Sequence, residues 1–255
     1  MQPLIIAKYT LIEGYKRSLI LLFLVGVVVC FAIAAYTASL ALVEKQATLA
    51  AFYAAGARMM AALVSGGYLI LTETRNLERE NALIWLGLPV NRSHYLLQKL
   101  LAYTVYIGLV VLVVVIPLFW MGTAPHIVFR WAAGLCLELL IVISLSLLLC
   151  CLFRQALVSL FIFVLVYLFA RSALEFYIHS SNIIESGDSP FELALAWFVK
   201  LTTFLVPKLE QFVNAGWILH GKVLNADWSQ VWQQAAVFSV LLILIAFERL
   251  QKRGF

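Results

Sequence analysis

The sequence predicts an all-α membrane protein with six transmembrane helices, and three observations carry that prediction. Hydrophobic residues make up 64% of the 255-residue chain and charged residues 12%, and mean hydropathy is +0.99, outside the range of soluble globular domains. Six runs reach the roughly 20 mostly apolar residues that a spanning helix needs: 18–43, 48–71, 100–122, 131–153, 156–178 and 229–248. The runs are continuous, without the alternation of a membrane barrel, and hydrocarbon offers no partner to open backbone groups, so helices are the only spanning form available. Residues 1–255 therefore read as a single transmembrane domain.

The first element precedes the first span. Residues 1–17 place Leu4, Ile5, Tyr9 and Ile12 at helical spacing, with Lys8, Lys16 and Arg17 near the polar boundary. This pattern fits an interfacial helix on the membrane surface, and equally a charged flank. The segment is amphipathic and the apolar run after it is too long for a signal-peptide core, so no cleavable signal is expected. The second span repeats small residues, Ala57, Ala61 and Ser65, with Gly66 and Gly67 beside them. Such a face admits a close helix neighbour, either within the chain or in a second subunit.

Orientation follows from the short loops. Lys8, Lys16, Arg17, Arg75, Arg79, Arg92, Lys99, Arg154, Arg249, Lys252 and Arg253 fall on one side, and Lys45 and Arg130 on the other. Both termini and the 72–99 loop are therefore expected in the cytosol. The net charge of +5 follows from this asymmetry and calls for no nucleic acid. Between the fifth and sixth spans, residues 179–228 form a long outer loop. Its apolar second half is interrupted by Lys200, Pro207 and Lys208, and neither half is long enough to span. Short, re-entrant-like helices dipping into the outer leaflet fit, whereas a seventh span would place the C-terminus outside, against the charge rule.

Catalytic motifs are missing. Gly216–Val223 matches GxxxxGK, but Val223 stands where a phosphate loop needs Ser or Thr for Mg²⁺, and the segment lies in the outer loop. Without another nucleotide motif, the chain is expected not to be an enzyme. HExxH and GxSxG do not occur, and His94, His126, His179 and His220 are scattered over several loops, so no metal site is expected. Cys30, Cys136, Cys150 and Cys151 fall within or at the ends of spans and imply neither a disulfide framework nor a thiol metal site.

Four ionisable residues, Arg58, Glu138, Arg171 and Glu175, lie inside spans, where charge is costly and points to function. All four fall in the outer half of the membrane, and Arg171 and Glu175 are four residues apart on one helical face. Two acids and two bases at similar depth can neutralise one another as a structural network, or line an outward cavity or gate.

The loop at 72–99 is a charged island with three of the chain's thirteen acidic residues and four of its eighteen basic ones. A polar stretch to Glu80 leads into the helix-compatible run from Asn81, which contains Leu83, Ile84, Trp85 and Leu86. Gly87 and Pro89 stop it, and Asn91, Arg92 and Ser93 restart a helix. This is a surface suited to docking a partner, or a solvated loop resting its apolar face on the bilayer.

The run Glu78-Arg79-Glu80, then Leu83 through Arg92 (LIWLGLPVNR), then Leu97-Gln98-Lys99 resembles the first cytosolic loop of type-two ABC export permeases. The stretch from Pro207 to Phe212, Gly221 and the closing Phe247–Arg253 are similar to the nitrous-oxide-reductase-maturation-like branch of that family. Asn91 stands where the family has Ser or Thr, a mild change because Asn also caps helices, and Asn81-Ala82 replaces the commoner Gly-Thr. The resemblance implies a permease subunit in a bacterial inner membrane, with N- and C-termini cytoplasmic and an N-terminal interfacial helix. The island would be a cytosolic coupling helix near Glu78–Leu86, meeting the ATPase through Glu78, Arg79, Glu80, Asn81, Leu83 and Trp85. Partners would be two ABC ATP-binding subunits, which bind ATP and Mg²⁺, together with a second permease copy, identical or paralogous, and membrane lipids. The apolar spans favour an amphipathic or lipid-like export substrate. A stand-alone secondary transporter or channel using Arg58, Glu138, Arg171 and Glu175, and a non-transporting anchor, are the rival functions.

Overall fold

The structure, a computed structural model, describes residues 10, 19–41, 44–76, 92–153, 155–186, 190–204, 206–213, 216–220 and 228–252. Every regular element among the described residues is helical: α1 (Leu19–Leu40), α2 (Lys45–Asn76), α3 (Arg92–Trp120), α4 (Pro125–Leu152), α5 (Ala156–Ser186), α6 (Pro190–Phe204), a 3-10 turn (Leu209–Gln211), α7 (Gly216–His220) and α8 (Trp228–Lys252). Six of these, α1 to α5 and α8, are long and apolar enough to cross a membrane. The 15-residue α6 is about 22 Å long, short of a hydrocarbon core of about 30 Å. The interfacial helix expected in 1–17 lies outside the described residues but for Thr10. So does the centre of the charged island, 77–91, with Glu78, Arg79, Glu80, Asn81, Leu83 and Trp85.

The bundle is built around α4, which packs against α2, α3, α5, α7 and α8. From Trp131 to Cys150 it is apolar on nearly every side and mostly buried, as a central helix should be, while Phe129 and Arg130 near one end and Leu152 at the other are exposed. Ser144 and Ser146 are buried on it and return their hydroxyls to the Leu140 and Val142 carbonyls one turn back, which removes the penalty of orphaned donors. By contrast α1 rests mainly on α2 and leaves Leu21, Leu24, Val25 and Val28 exposed. On α3 the exposed residues Leu97, Leu101, Val105, Leu109, Leu112 and Ile116 recur every three or four positions, the signature of one lipid-facing stripe.

The small-residue face of α2 packs inside the chain. Ala57 and Ala61 are fully buried, and Gly66 meets the Phe163 ring of α5 so closely that a Cβ there would overlap it. At one end of the bundle Gln46 Nε2 donates to the Met121 carbonyl at 3.0 Å, joining the α1–α2 and α3–α4 connections. Gly122 turns the chain there at φ +73°, a left-handed conformation that a side chain would strain. At the opposite end Cys150 Sγ sits 3.8 Å from the Ile70 carbonyl and from Thr74 Oγ1, holding the ends of α2 and α4 together.

Candidate functional site

Two polar sites are buried in the bundle, one toward each end. The first centres on Arg58, on the small-residue face of α2. With Ala54, Ala57, Ala61 and Ala62 around it on the helix, neighbouring elements come near enough to enclose a whole guanidinium, which is 2% exposed. Its Nε donates to Glu138 Oε2 of α4 at 2.6 Å. Nη2 donates to the Leu209 carbonyl at 2.7 Å, and Nη1 donates to the Val213 carbonyl. Glu210, which is 26% exposed, approaches Nη1 to 3.5 Å. The second oxygen of Glu138, Oε1, accepts from the Tyr167 hydroxyl of α5 at 3.0 Å.

This arrangement explains how a charge pair persists in an apolar bundle. A planar guanidinium offers five donors in a fixed fork, so one side chain can serve a carboxylate and two carbonyls at once. Glu138 is fully buried and is neutralised by Arg58 while Tyr167 satisfies its other oxygen. Both carbonyls belong to the stretch around the 3-10 turn; that of Leu209 also accepts the Phe212 N–H at 3.0 Å, and Arg58 adds a donor to each. Gly134 of α4 reinforces the seat, because its bare Cα lies where a Cβ would overlap the Phe212 carbonyl. Leu209, Phe212 and Val213 are all buried against the bundle.

Of the four intramembrane charges expected to interact, the structure therefore joins Arg58 to Glu138 and leaves the other two apart. Arg171 is half-buried one turn beyond Tyr167, and its Nη1 has no hydrogen-bond partner among the described residues. Glu175 is exposed. Among the described residues, neither is within ion-pair distance of an opposite charge, so their spacing of four does not produce a pair. Tyr167 and the two carbonyls complete the site without any signal in the sequence, and Glu210 was noted only within the 207–212 stretch, with nothing to tie it to Arg58. A tyrosine in an apolar run reads as packing, and carbonyls carry no residue identity.

The second site lies at the stems of the charged island. Glu73, on the last turns of α2, and Lys99, on the second turn of α3, are 2% and 5% exposed. Lys99 Nζ donates to Glu73 Oε1 at 2.7 Å, and the Tyr103 hydroxyl donates to the same oxygen. Residues 77–91 run between these helices, so the ion pair closes the base of that loop. It fastens the end of α2 to the start of α3 through a desolvated charge pair. Lys99 belongs to the island motif, but its partner, 26 residues back, is not identifiable from the sequence. The signal available was the placement of opposite charges at the two stems.

Among the described residues no group of three or more His, Cys, Asp or Glu could hold a metal ion. Comparison of the sequence with models of known protein families and with curated proteins returned no match.

Proposed function

We propose that this chain is the membrane-spanning permease subunit of an ABC exporter, working as a pair of permeases with two separate ATP-binding subunits. The observation that carries this reading is the conjunction of a permease-like loop sequence at 78–99 with stems tied together by the buried Glu73–Lys99–Tyr103 cluster. A loop that receives a push from a partner can move helices only if its two ends are joined to each other more firmly than they are to the surrounding lipid. Fastening α2 to α3 in this way lets displacement of the loop move both as one lever. In this reading ATP is bound and hydrolysed by the partner, both termini and the 72–99 loop are cytoplasmic, and the membrane is a bacterial inner membrane. The apolar surfaces favour an amphipathic cargo.

The pairing of Arg58 with Glu138, and its use of two backbone carbonyls, weighs for an anchoring role for these charges and against an ion path through them. Coupling requires that the permease states bind the ATPase with different affinity. The test is a double charge reversal, Glu78→Lys with Glu80→Lys, in the chain co-expressed with an ATP-binding subunit and reconstituted. Loss of co-purification or of stimulated ATPase activity is expected. Wild-type assembly and activity would refute the coupling role, and transport driven by an ion gradient without any ATPase would refute the permease reading.

A further inference from the structure

One face of α5 is left open along most of the helix. Val158, Phe161, Leu165 and Leu168 are exposed on it, Ser172 is half-buried, and Glu175 and His179 are exposed again. These positions alternate three and four residues apart, so they form one continuous seam. Exposure alone marks only lipid contact: the stripe of α3 from Leu97 to Ile116 has similar spacing and carries no charge.

The seam of α5 does carry charge. Counted from Ala156, Arg171 lies about 22 Å along the helix and Glu175 about 28 Å, both within a hydrocarbon core of about 30 Å. Charge inside a membrane is costly and is almost always paired. Arg171 flanks the seam one turn before Glu175, and among the described residues neither reaches an opposite charge. An arginine near a helix end ordinarily extends to the headgroups. Here Nη1 of Arg171 is enclosed by protein and has no hydrogen-bond partner among the described residues, so this side chain has not escaped that way. Lys200 and Lys208 stand over the Tyr177 ring, two residues after Glu175 and so on the opposite side of the helix.

We propose that this face is the surface through which two copies of the chain pair, Arg171 of each copy meeting Glu175 of the other. Charge complementarity selects the occupant, because the face carries one acid and one base and is therefore complementary to itself. A two-fold axis along the membrane normal sets the same face of both copies together, in parallel, and makes two identical contacts. Arg171 and Glu175 are about 6 Å apart along the helix, an offset like that of the charges that pair across a parallel coiled-coil seam. Two guanidiniums and two carboxylates then form one neutral cluster around the small Ser172. The second copy rests on the permease reading above; the surface rests on the charges of α5.

The experiment co-expresses the chain under two different affinity tags, without any ATPase, and measures in detergent how much of one tag is captured through the other. Wild type should pair. Arg171→Glu in both copies, or Glu175→Arg in both copies, sets like charges against each other and should lower capture on the order of tenfold. Arg171→Glu in one copy with Glu175→Arg in the other gives every acid a base and should restore capture to within about twofold of wild type, which two misfolded chains could not do. A second readout leaves the charges alone: on oxidation Leu168→Cys should form a covalent dimer above the level of the native cysteines, and Leu112→Cys on α3 should not. Undiminished capture in the single variants, no recovery in the mixed pair, or no covalent dimer from Leu168→Cys would overturn the proposal. Failure of wild type to pair would overturn the permease pair as well, whereas pairing indifferent to these charges would remove only this surface.

Discussion

Replacing Arg58 with methionine keeps much of the side-chain volume and removes every polar contact it makes. Four groups then lose a contact: Glu138, which keeps the Tyr167 hydroxyl, the Leu209 carbonyl, which keeps the Phe212 N–H, the Val213 carbonyl and, at 3.5 Å, Glu210. Breaking a buried ion pair from one side costs about 3–5 kcal/mol. Hydrogen bonds within membrane bundles average about 0.6 kcal/mol and reach about 1.7, so the two carbonyls account for about 1–3 kcal/mol of that loss. Glu138→Gln should cost less, about 1–2 kcal/mol, because Arg58 keeps both carbonyls and Glu210 while Gln still accepts from Nε. The double variant removes the unneutralised carboxylate but does not restore the hydrogen bonds that Arg58 gave the two carbonyls. It should therefore be more stable than Arg58→Met alone, yet remain about 1–3 kcal/mol below wild type. Unfolding by SDS titration in mixed micelles, followed by circular dichroism, gives these differences. Maleimide labelling of Gln211→Cys reports whether the 3-10 turn has come loose, with Arg58→Met expected to accelerate it. Additive effects of the two substitutions, or wild-type labelling in Arg58→Met, would refute an anchoring role for this network.

Three further outcomes follow from the same geometry. Gly134→Ala should destabilise by about 1–3 kcal/mol and gain nothing from Phe212→Ala, because the overlapping atom is a carbonyl oxygen that stays in place. Gly66→Ala should destabilise similarly but be rescued by Phe163→Leu, because there the obstacle is a ring; the same SDS titration separates the two cases. At the stems of the charged loop, Lys99→Met removes the cation from a buried carboxylate that keeps the Tyr103 hydroxyl, and Glu73→Gln removes the carboxylate from a buried ammonium; each should destabilise by about 3 kcal/mol, read by the same titration. In a reconstituted complex Lys99→Met should also lower stimulated ATPase activity while binding of the ATP-binding subunit persists, measured by co-purification.

The spanning helices were legible because lipid imposes one demand, a long apolar run, and the sequence meets it without ambiguity. Their ends were less so. The third span, expected from residue 100, begins at Arg92, and the fifth, expected to stop near 178, runs to Ser186. A helix passes into water as readily as it stops at the interface, and hydropathy registers only the apolar part. Within the candidate site, Arg58 and Glu138 stood out because charge in an apolar run is conspicuous, but so did Arg171 and Glu175, which do not join them. Spacing along one helix could suggest the Arg171–Glu175 pair, yet pairing was decided by which helices approach, and that depended on alanines and glycines on α2 and α4. Lys99 was visible as part of a loop motif, while Glu73 acquired meaning only from being folded against it.

The hold on the 209–213 stretch runs through its main chain. Side chains at 209 and 213 can therefore change without touching the contacts to Arg58, provided they still fill the space against α4. Length is another matter. One residue added between the two carbonyls would shift one of them by about 3 Å relative to the other, beyond the reach of a rigid guanidinium. Point substitutions should thus be tolerated far better here than single-residue insertions, since the fork measures the number of residues between its two acceptors and is indifferent to which residues they are.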